Sequence, residues 1–281
     1  MNAKILDGQA LSSLIKQKVK TEVNRRLQQH LATPGLHVIL VGNDPASHVY
    51  VQHKQNACKQ TGIFSKLHHL PENTRQAELF RLIEQLNADI HVHGILLQVP
   101  LPPHLDSSRL LEAISPAKDV DGFHPYNMGC LALRVPKLRP CTPYGIIQLL
   151  EHYHIPCQGK RAVIVGASNI VGRPMALELL LKKATVTVCH QFTTDLEKEV
   201  RNAEILVSAI GKINVIQSKW IASEAVVIDA GITRLTDNKI VGDIDFDSAK
   251  KHTSWITPVP GGVGPMTVAT LLQNTLQAAS A

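Results

Sequence analysis

The sequence is short of aromatic residues, of paired cysteines and of long apolar runs, and each shortage removes a class of protein. Only 4% of its 281 residues are Phe, Trp or Tyr, and its Lys and Arg side chains are scattered, never more than two in a row. The stacking platforms and basic stripes of a nucleic-acid binder are therefore missing, and no nucleic-acid partner is expected. The 29 Lys and Arg against 23 Asp and Glu leave a net charge of +6, a field suited to drawing in an anionic small molecule. The five cysteines, Cys58, Cys130, Cys141, Cys157 and Cys189, are odd in number, widely spaced and form no C-x-x-C. That pattern argues against both a disulfide framework and a zinc knuckle. No stretch approaches the ~18 apolar residues of a membrane helix, and MNAKILDGQALSS has neither the basic flank nor the apolar core of a signal peptide. The expectation is a reduced, cytoplasmic protein with no membrane partner.

What is present is an alternation. Short β-branched runs at Leu36–Val41, Phe64–Leu70 and Val92–Gln98 are separated by helical stretches at about 11–30, 44–61 and 74–87, the pattern of α/β units on largely parallel sheets. Asp44-Pro45 and Thr142-Pro143 each read as a cap residue followed by proline in the first helical turn. From Ser115 to Cys141 the chain carries Pro116, Gly122, Pro125, Gly129, Pro136 and Pro140, which read as breakers of regular structure and mark an inter-domain connection. Beyond it come Arg161–Val165, a helix from about Gly172, then Thr185–His190, Ile205–Ala209, Val226–Ala230 and Ile240–Ile244, the order of a nucleotide-binding doubly wound sheet. The fold class expected is α/β, with two α/β domains around a cleft and a Rossmann-type second domain. The domains are read as 1–121 and 122–281, with a terminal helix of about 266–281 packing back on the first.

The stretch VIVGASNIVGRP, Val163 to Pro174, runs from an apolar strand through glycine turns into a helix. Unpaired backbone N–H groups at such a helix start, aided by its dipole, make an anion site. Its glycines, Gly166 and Gly172, stand six apart rather than in G-x-G-x-x-G, and a tight strand-to-helix turn without a ligand remains open. An NAD site usually presents Asp or Glu ~20 residues on, at the end of the second strand. Here TVTVCHQFTT offers His190, Gln191 and Thr193 and no carboxylate, so NADP is permitted.

Tyr50 and Lys54 lie four apart, on one helical face with Ala46 and Ala57, so the lysine emerges from an apolar stripe. It is either an acid/base group or an ordinary snorkelling lysine. In HGILLQVPLPPH, Gln98 ends a strand and is followed by Pro100, Pro102 and Pro103, which presents an amide where ligands sit in open α/β sheets. Asp119 and Asp121 in KDVDGF could cap, bind a metal or accept two parallel N–H bonds from an amidine-like edge. The loop TPVPGGVGPMT, with Pro260, Gly261 and Gly262, could lie flat on a planar ligand. His68-His69 and His91-x-His93 lack a third ligand at metal spacing, so no metal is expected.

Taken together, Y-V-x-x-K at 50–54, G-I-L-L-Q-V-P-L-P at 94–102, K-D-V-D-G-F at 118–123, C-T-P at 141–143, the G-x-S-x-I-V-G-x-P loop and P-G-G-V-G-P-M-T at 260–267 resemble the bifunctional methylenetetrahydrofolate dehydrogenase/methenyltetrahydrofolate cyclohydrolase family over essentially the whole chain. The resemblance implies NADP-dependent oxidation of 5,10-methylenetetrahydrofolate, then hydrolysis to 10-formyltetrahydrofolate, in a homodimer. It implies that Tyr50 stacks on the folate, Asp121 takes the pterin N–H donors, Lys54 manages the proton with Gln98 tuning it, and Pro100 with Pro260–Gly262 lines the substrate. The coenzyme would lie on Gly166, Ala167, Ser168, Ile170, Val171, Gly172, Gln191, Thr193 and Ile232. Two departures weaken NADP and make NAD use an expectation: Ala167 and Gln191 stand where the family usually has Arg and Ser. Alternatives are a monofunctional methylenetetrahydrofolate dehydrogenase, a non-catalytic folate- or nucleotide-binding protein, and an amino-acid or shikimate-type dehydrogenase. The last gives no reason for Asp121 together with the final glycine loop.

Overall fold

The structure is a computed structural model that describes residues 2–235 and 239–280. Eleven strands are described: β1 (Lys4–Ile5), β2 (Gly35–Val41), β3 (Phe64–Leu70), β4 (Gly94–Leu97), β5 (Arg161–Val165), β6 (Thr185–Cys189), β7 (Ile205–Ser208), β8 (Val226–Asp229), β9 (Thr233–Arg234), β10 (Ile240–Val241) and β11 (Trp255–Ile256). The chain separates into two compact units, one of Met1–Ser12 with Thr142–Thr267, the other of Ser13–Cys141 with Val268–Ala281.

The second of these units holds a parallel sheet in the order β3-β2-β4. β2 is buried at every position, as the continuous apolar run LHVILV requires of a central parallel strand. The helix Pro45–Thr61 begins where expected: Asp44 accepts the Ser47 N–H at 2.7 Å and Pro45 fills the first helical position. One core joins Ile39, Leu79, Ile83, Ile95, Leu97 and Leu110, which brings in a helix at Ser107–Ala113 that the sequence reading omitted.

The stretch read as a structureless connection is ordered, and it belongs to this unit. Pro125 starts a helix, Pro125–Ala132, because the His124 imidazole accepts the Tyr126 N–H at 3.0 Å and proline suits the first turn. Prolines counted as breakers there include a helix starter. The terminal helix Val263–Ala278 begins before Pro265 and ends in this unit, where the Asn274 amide donates to the Val120 and Arg139 carbonyls at 2.8 Å each.

The other unit carries a six-stranded parallel sheet, β1-β11-β8-β7-β5-β6. The order reverses between β5 and β7, since the chain goes from β5 outward to β6 and then returns to the far side of β5. That reversal is the switch point at which doubly wound sheets bind ligands. Two short strands, β1 at the edge and β11 beside it, were not anticipated, because two-residue runs carry no periodicity. β1 pairs with β11 at Lys4–Trp255 and Ile5–Ile256, which is why the first residues sit with the second half of the chain. Ile240–Ile244, read as a sheet strand, instead contributes a short antiparallel pairing of β10 with β9 and then a bend in which the Asp243 N–H donates to Asp229. The helix expected from Thr142 starts at Cys141, and Thr142 Oγ1 lies 2.9 Å from Thr267 Oγ1.

Candidate active site

In the unit around β2, the structure brings Lys54 and Gln98 together. Lys54 lies on the helix Pro45–Thr61 in the row Ser47, Val51, Lys54, Cys58, Thr61, whose other four members are all buried. The row differs from the Ala46/Ala57 stripe read from the sequence, because Ala46 is exposed. Lys54 Nζ donates to Gln98 Oε1 at 3.0 Å, and Gln98 Nε2 donates to the Val99 carbonyl at 2.8 Å. The amide is thus gripped at both ends, and its oxygen is aimed at the ammonium. Gln98 is buried, and its N–H donates to the Ile39 carbonyl at 2.9 Å, extending the β2–β4 ladder to its carboxyl end. Tyr50 lies one helical turn before Lys54 and is 36% exposed, a ring partly open to a ligand. Pro100 is exposed at the strand's end.

The two carboxylates of KDVDGF do different work. Asp119 is buried and accepts the Gly122 N–H at 3.2 Å, the His124 N–H at 2.8 Å and the Asn127 amide at 2.9 Å. Lys118 donates to the carbonyls of Leu86, Asn87 and Asp89 at 3.1, 2.8 and 2.7 Å, closing the C-terminus of the helix Gln76–Ala88. A parallel bridge between Ile95 and Asp119 lays the segment along β4. So fixed, the loop presents Asp121. Burial pushes its carboxyl above the usual range, the Lys54 ammonium pulls it back and Asp119 adds to the rise. Lys54, Gln98 and Asp121 therefore form one electrostatic group.

In the unit around β5, the coenzyme residues predicted from the sequence follow the carboxyl ends of β5, β6 and β8 in one parallel sheet. Gly166 has φ +120, and a Cβ there would collide with the Ala209 carbonyl at the end of β7. A Cβ on Gly172 would collide in turn with the Gly166 carbonyl. Backbone thus meets backbone, and this close strand–loop–helix packing is what a dinucleotide demands. Ser168 is exposed and its hydroxyl accepts from the Val171 and Gly172 N–H groups at 3.2 and 3.4 Å. Ile170 and Ile232 are exposed, at 40% and 43%, as apolar surface suited to a flat ring. After β6, Gln191 is exposed, and Thr193 Oγ1 accepts the His190 N–H at 2.9 Å. The residues present fit a dinucleotide with no carboxylate at the ribose position.

Sequence reasoning missed Asp229 and Asp243. Asp229 accepts from the N–H groups of Gly231, Asp243 and Ile244 at 2.9, 3.1 and 2.9 Å, and burial pushes it up to about 6. Asp243 accepts from the Ser208 hydroxyl at 2.8 Å and from the Ile210 and Gly211 N–H groups at 2.9 and 3.3 Å. The pair shapes the loops that follow β7 and β8. Gly8 was also missed. A Cβ on it would collide with the Gly262 carbonyl, and the Gln9 N–H donates to the Gly261 carbonyl at 2.9 Å, so the chain start seats the Pro260–Gly262 loop. Surface cavities of 640 and 590 Å3 elsewhere in this unit contain none of the predicted residues.

The catalytic domain of tetrahydrofolate dehydrogenase/cyclohydrolase matches residues 6–121, and the NAD(P)-binding domain of the same family matches residues 140–281. The chain belongs to the tetrahydrofolate dehydrogenase/cyclohydrolase family. It is similar to the bifunctional FolD methylenetetrahydrofolate dehydrogenase/cyclohydrolase of Campylobacter jejuni, with 49% identity over 99% of both chains and a TM-score of 0.97. A Trypanosoma brucei methylenetetrahydrofolate dehydrogenase-cyclohydrolase, solved with NADP and an inhibitor, shares 37% identity over 100% of this chain and 98% of that one, with a TM-score of 0.96. The NAD-dependent methylenetetrahydrofolate dehydrogenase of Saccharomyces cerevisiae shares the fold, with 21% identity over 99% of this chain and 97% of that one and a TM-score of 0.83. As a family member with both domains, the chain is a bifunctional dehydrogenase and cyclohydrolase of folate one-carbon metabolism with an NAD(P)-binding domain. Among the described residues no helix is long and apolar enough to cross a membrane.

Proposed function

We propose that Lys54, Gln98, Tyr50 and Asp121 carry the folate chemistry: oxidation of 5,10-methylenetetrahydrofolate to 5,10-methenyltetrahydrofolate, then hydrolysis to 10-formyltetrahydrofolate. The observation that carries this reading is the 3.0 Å bond from Lys54 Nζ to Gln98 Oε1, with Asp121 electrostatically coupled to the same ammonium. In the hydrolytic step water adds to the methenyl carbon, a proton leaves the attacking oxygen and the bond to one ring nitrogen breaks. Lys54 handles those protons. Gln98, locked on the Val99 carbonyl, holds the ammonium in one place. Asp121 accepts the paired N–H donors of the pterin edge, and the Lys54 ammonium offsets part of the upward push that burial gives its carboxyl. Tyr50 gives the ring a stacking surface, and Pro100, exposed at the end of the same strand as Gln98, lines the substrate.

Bound NADP supplies the hydride acceptor for the oxidation. Gly166, Ala167, Ser168, Ile170, Val171, Gly172, Gln191, Thr193 and Ile232 hold it, and setting two flat rings face to face is a task of positioning rather than of proton transfer. NAD is used as well, because neither Ala167 nor Gln191 offers charge to a 2′-phosphate. The enzyme acts in the cytoplasm as a homodimer, and five free, buried cysteines suit a reducing compartment. Absorbance at the methenyltetrahydrofolate band tests the reading in one cuvette. Methylenetetrahydrofolate with NADP should raise it, and added methenyltetrahydrofolate should decay faster with enzyme than without. Oxidation without accelerated decay would leave a monofunctional dehydrogenase, and neither signal would leave a binding protein.

A further inference from the structure

The turn between β5 and the helix Gly172–Leu181 uses part of its own anion-binding capacity. With the Ser168 hydroxyl accepting from Val171 and Gly172, two of the N–H groups that a phosphate would seek already have a partner. Positive charge reaches the turn by another route. Arg173, in the first turn of that helix, donates from Nε to the Ala167 carbonyl at 3.1 Å, and its backbone N–H donates to the Ser168 carbonyl at 3.0 Å. The side chain therefore folds back along the loop, and the residue is exposed. Among the described residues no carboxylate forms an ion pair with it.

The anchor point decides what this guanidinium faces. Ala167 follows Gly166, whose N–H donates to the carbonyl of Cys189, the last residue of β6, at 2.9 Å. Arg173 is thus fastened to the residue next to the one that bonds the end of the second strand of the doubly wound order, after which His190, Gln191, Phe192 and Thr193 follow without a carboxylate. In this architecture that position meets the adenosine ribose: an acid there selects a free 2′-hydroxyl, and an arginine there accommodates a 2′-phosphate. We propose that Arg173 is the 2′-phosphate-binding residue of this chain, reaching from the helix to cover the position that neutral Ala167 and Gln191 leave without charge. Its planar fork suits a phosphate monoester, and its bond to Ala167 fixes its orientation in advance. The proposal rests on reading this loop as the coenzyme site.

The test is equilibrium binding of two coenzyme fragments, 5′-ADP and 2′,5′-ADP, to the full-length protein and to Arg173→Gln, followed calorimetrically. The wild type should bind 2′,5′-ADP about tenfold more tightly than 5′-ADP, the gain of one charge-assisted contact at an exposed site. Arg173→Gln should erase that preference with 5′-ADP affinity and melting temperature unchanged, and Arg173→Lys should restore part of it. A preference that survives in Arg173→Gln overturns the assignment. So does an equal weakening of both ligands, which would give the arginine to the diphosphate instead. If the wild type binds neither fragment, the coenzyme reading of the loop falls and takes the assignment with it.

Discussion

Asp119 and Asp121 stand two residues apart, and replacing each should damage a different property. Asp119→Ala withdraws the acceptor from three donors, the N–H groups of Gly122 and His124 and the amide of Asn127, around a carboxylate that is 2% exposed. A buried donor left without a partner costs about 1–3 kcal/mol. Water entering the vacated space recovers part of that, so the expected loss is about 4 kcal/mol. For a protein of this size that lowers the melting temperature by roughly 10 °C. Asp121→Asn works in the opposite direction. Burial already disfavours the charged form of Asp121 in the folded state, so a neutral isostere relieves that cost while giving up attraction to Lys54. Its stability should lie within about 1 kcal/mol of wild type. Its folate affinity should drop about tenfold or more, because an amide cannot accept two parallel N–H bonds. Scanning calorimetry with folate titration on both variants separates the two effects. The division of labour is refuted if Asp119→Ala melts within about 2 °C of wild type, or if Asp121→Asn loses as much stability as Asp119→Ala.

Two further outcomes follow from the same geometry. Lys54→Met should slow hydrolysis of methenyltetrahydrofolate by about a thousandfold and the oxidation far less, since only the former needs a proton handled at that point. Equal losses with folate binding intact would remove Lys54 from its role. Acid should weaken the unit around β2 through His37, whose Nδ1 lies 3.0 Å from His68 Nε2. Burial, with the His68 and Lys66 charges and that of Lys118 against the opposing Asp89, pushes His37 down to about 4. In the unfolded chain the imidazole takes up its proton near 6.5, while the folded protein keeps it neutral. The stabilisation is therefore complete above about pH 6.5 and is lost as pH falls from there toward 4, by about 3 kcal/mol unscreened and about 2 kcal/mol once solvent screening is allowed for. His37→Gln should flatten the difference in denaturant midpoint between about pH 7 and pH 5, and an unchanged difference would assign the acid sensitivity elsewhere.

What the sequence discloses and what it hides divide along the range of the interactions. The Asp44-Pro45 helix start, the apolar run of β2 and the glycines of Val163–Pro174 are signals carried within a few residues, and they place Lys54, Gln98 and the β5 turn well. Pro125 is equally local but ambiguous, because proline both breaks helices and begins them. Only the His124 cap, itself positioned by Asp119, decides between the two. The β1–β11 pair joins two dipeptides from opposite ends of the chain, and nothing in Lys4-Ile5 alone announces a strand. Asp229 and Asp243 belong to the same hidden class. In the sequence they terminate or interrupt apolar runs and look like solvent-facing breaks. In the fold each is buried and accepts from backbone N–H groups, Asp243 through Oδ2 from the turn after β7 some 32 or 33 residues earlier, Asp229 from Asp243 and Ile244 14 or 15 residues later. A buried carboxylate is tolerable only with such donors. The loops that supply them are held in one shape as a consequence, and these are the loops at the carboxyl ends of the strands where a doubly wound sheet binds its coenzyme. The residues hardest to find in the sequence are therefore the ones that give the easily found residues their geometry.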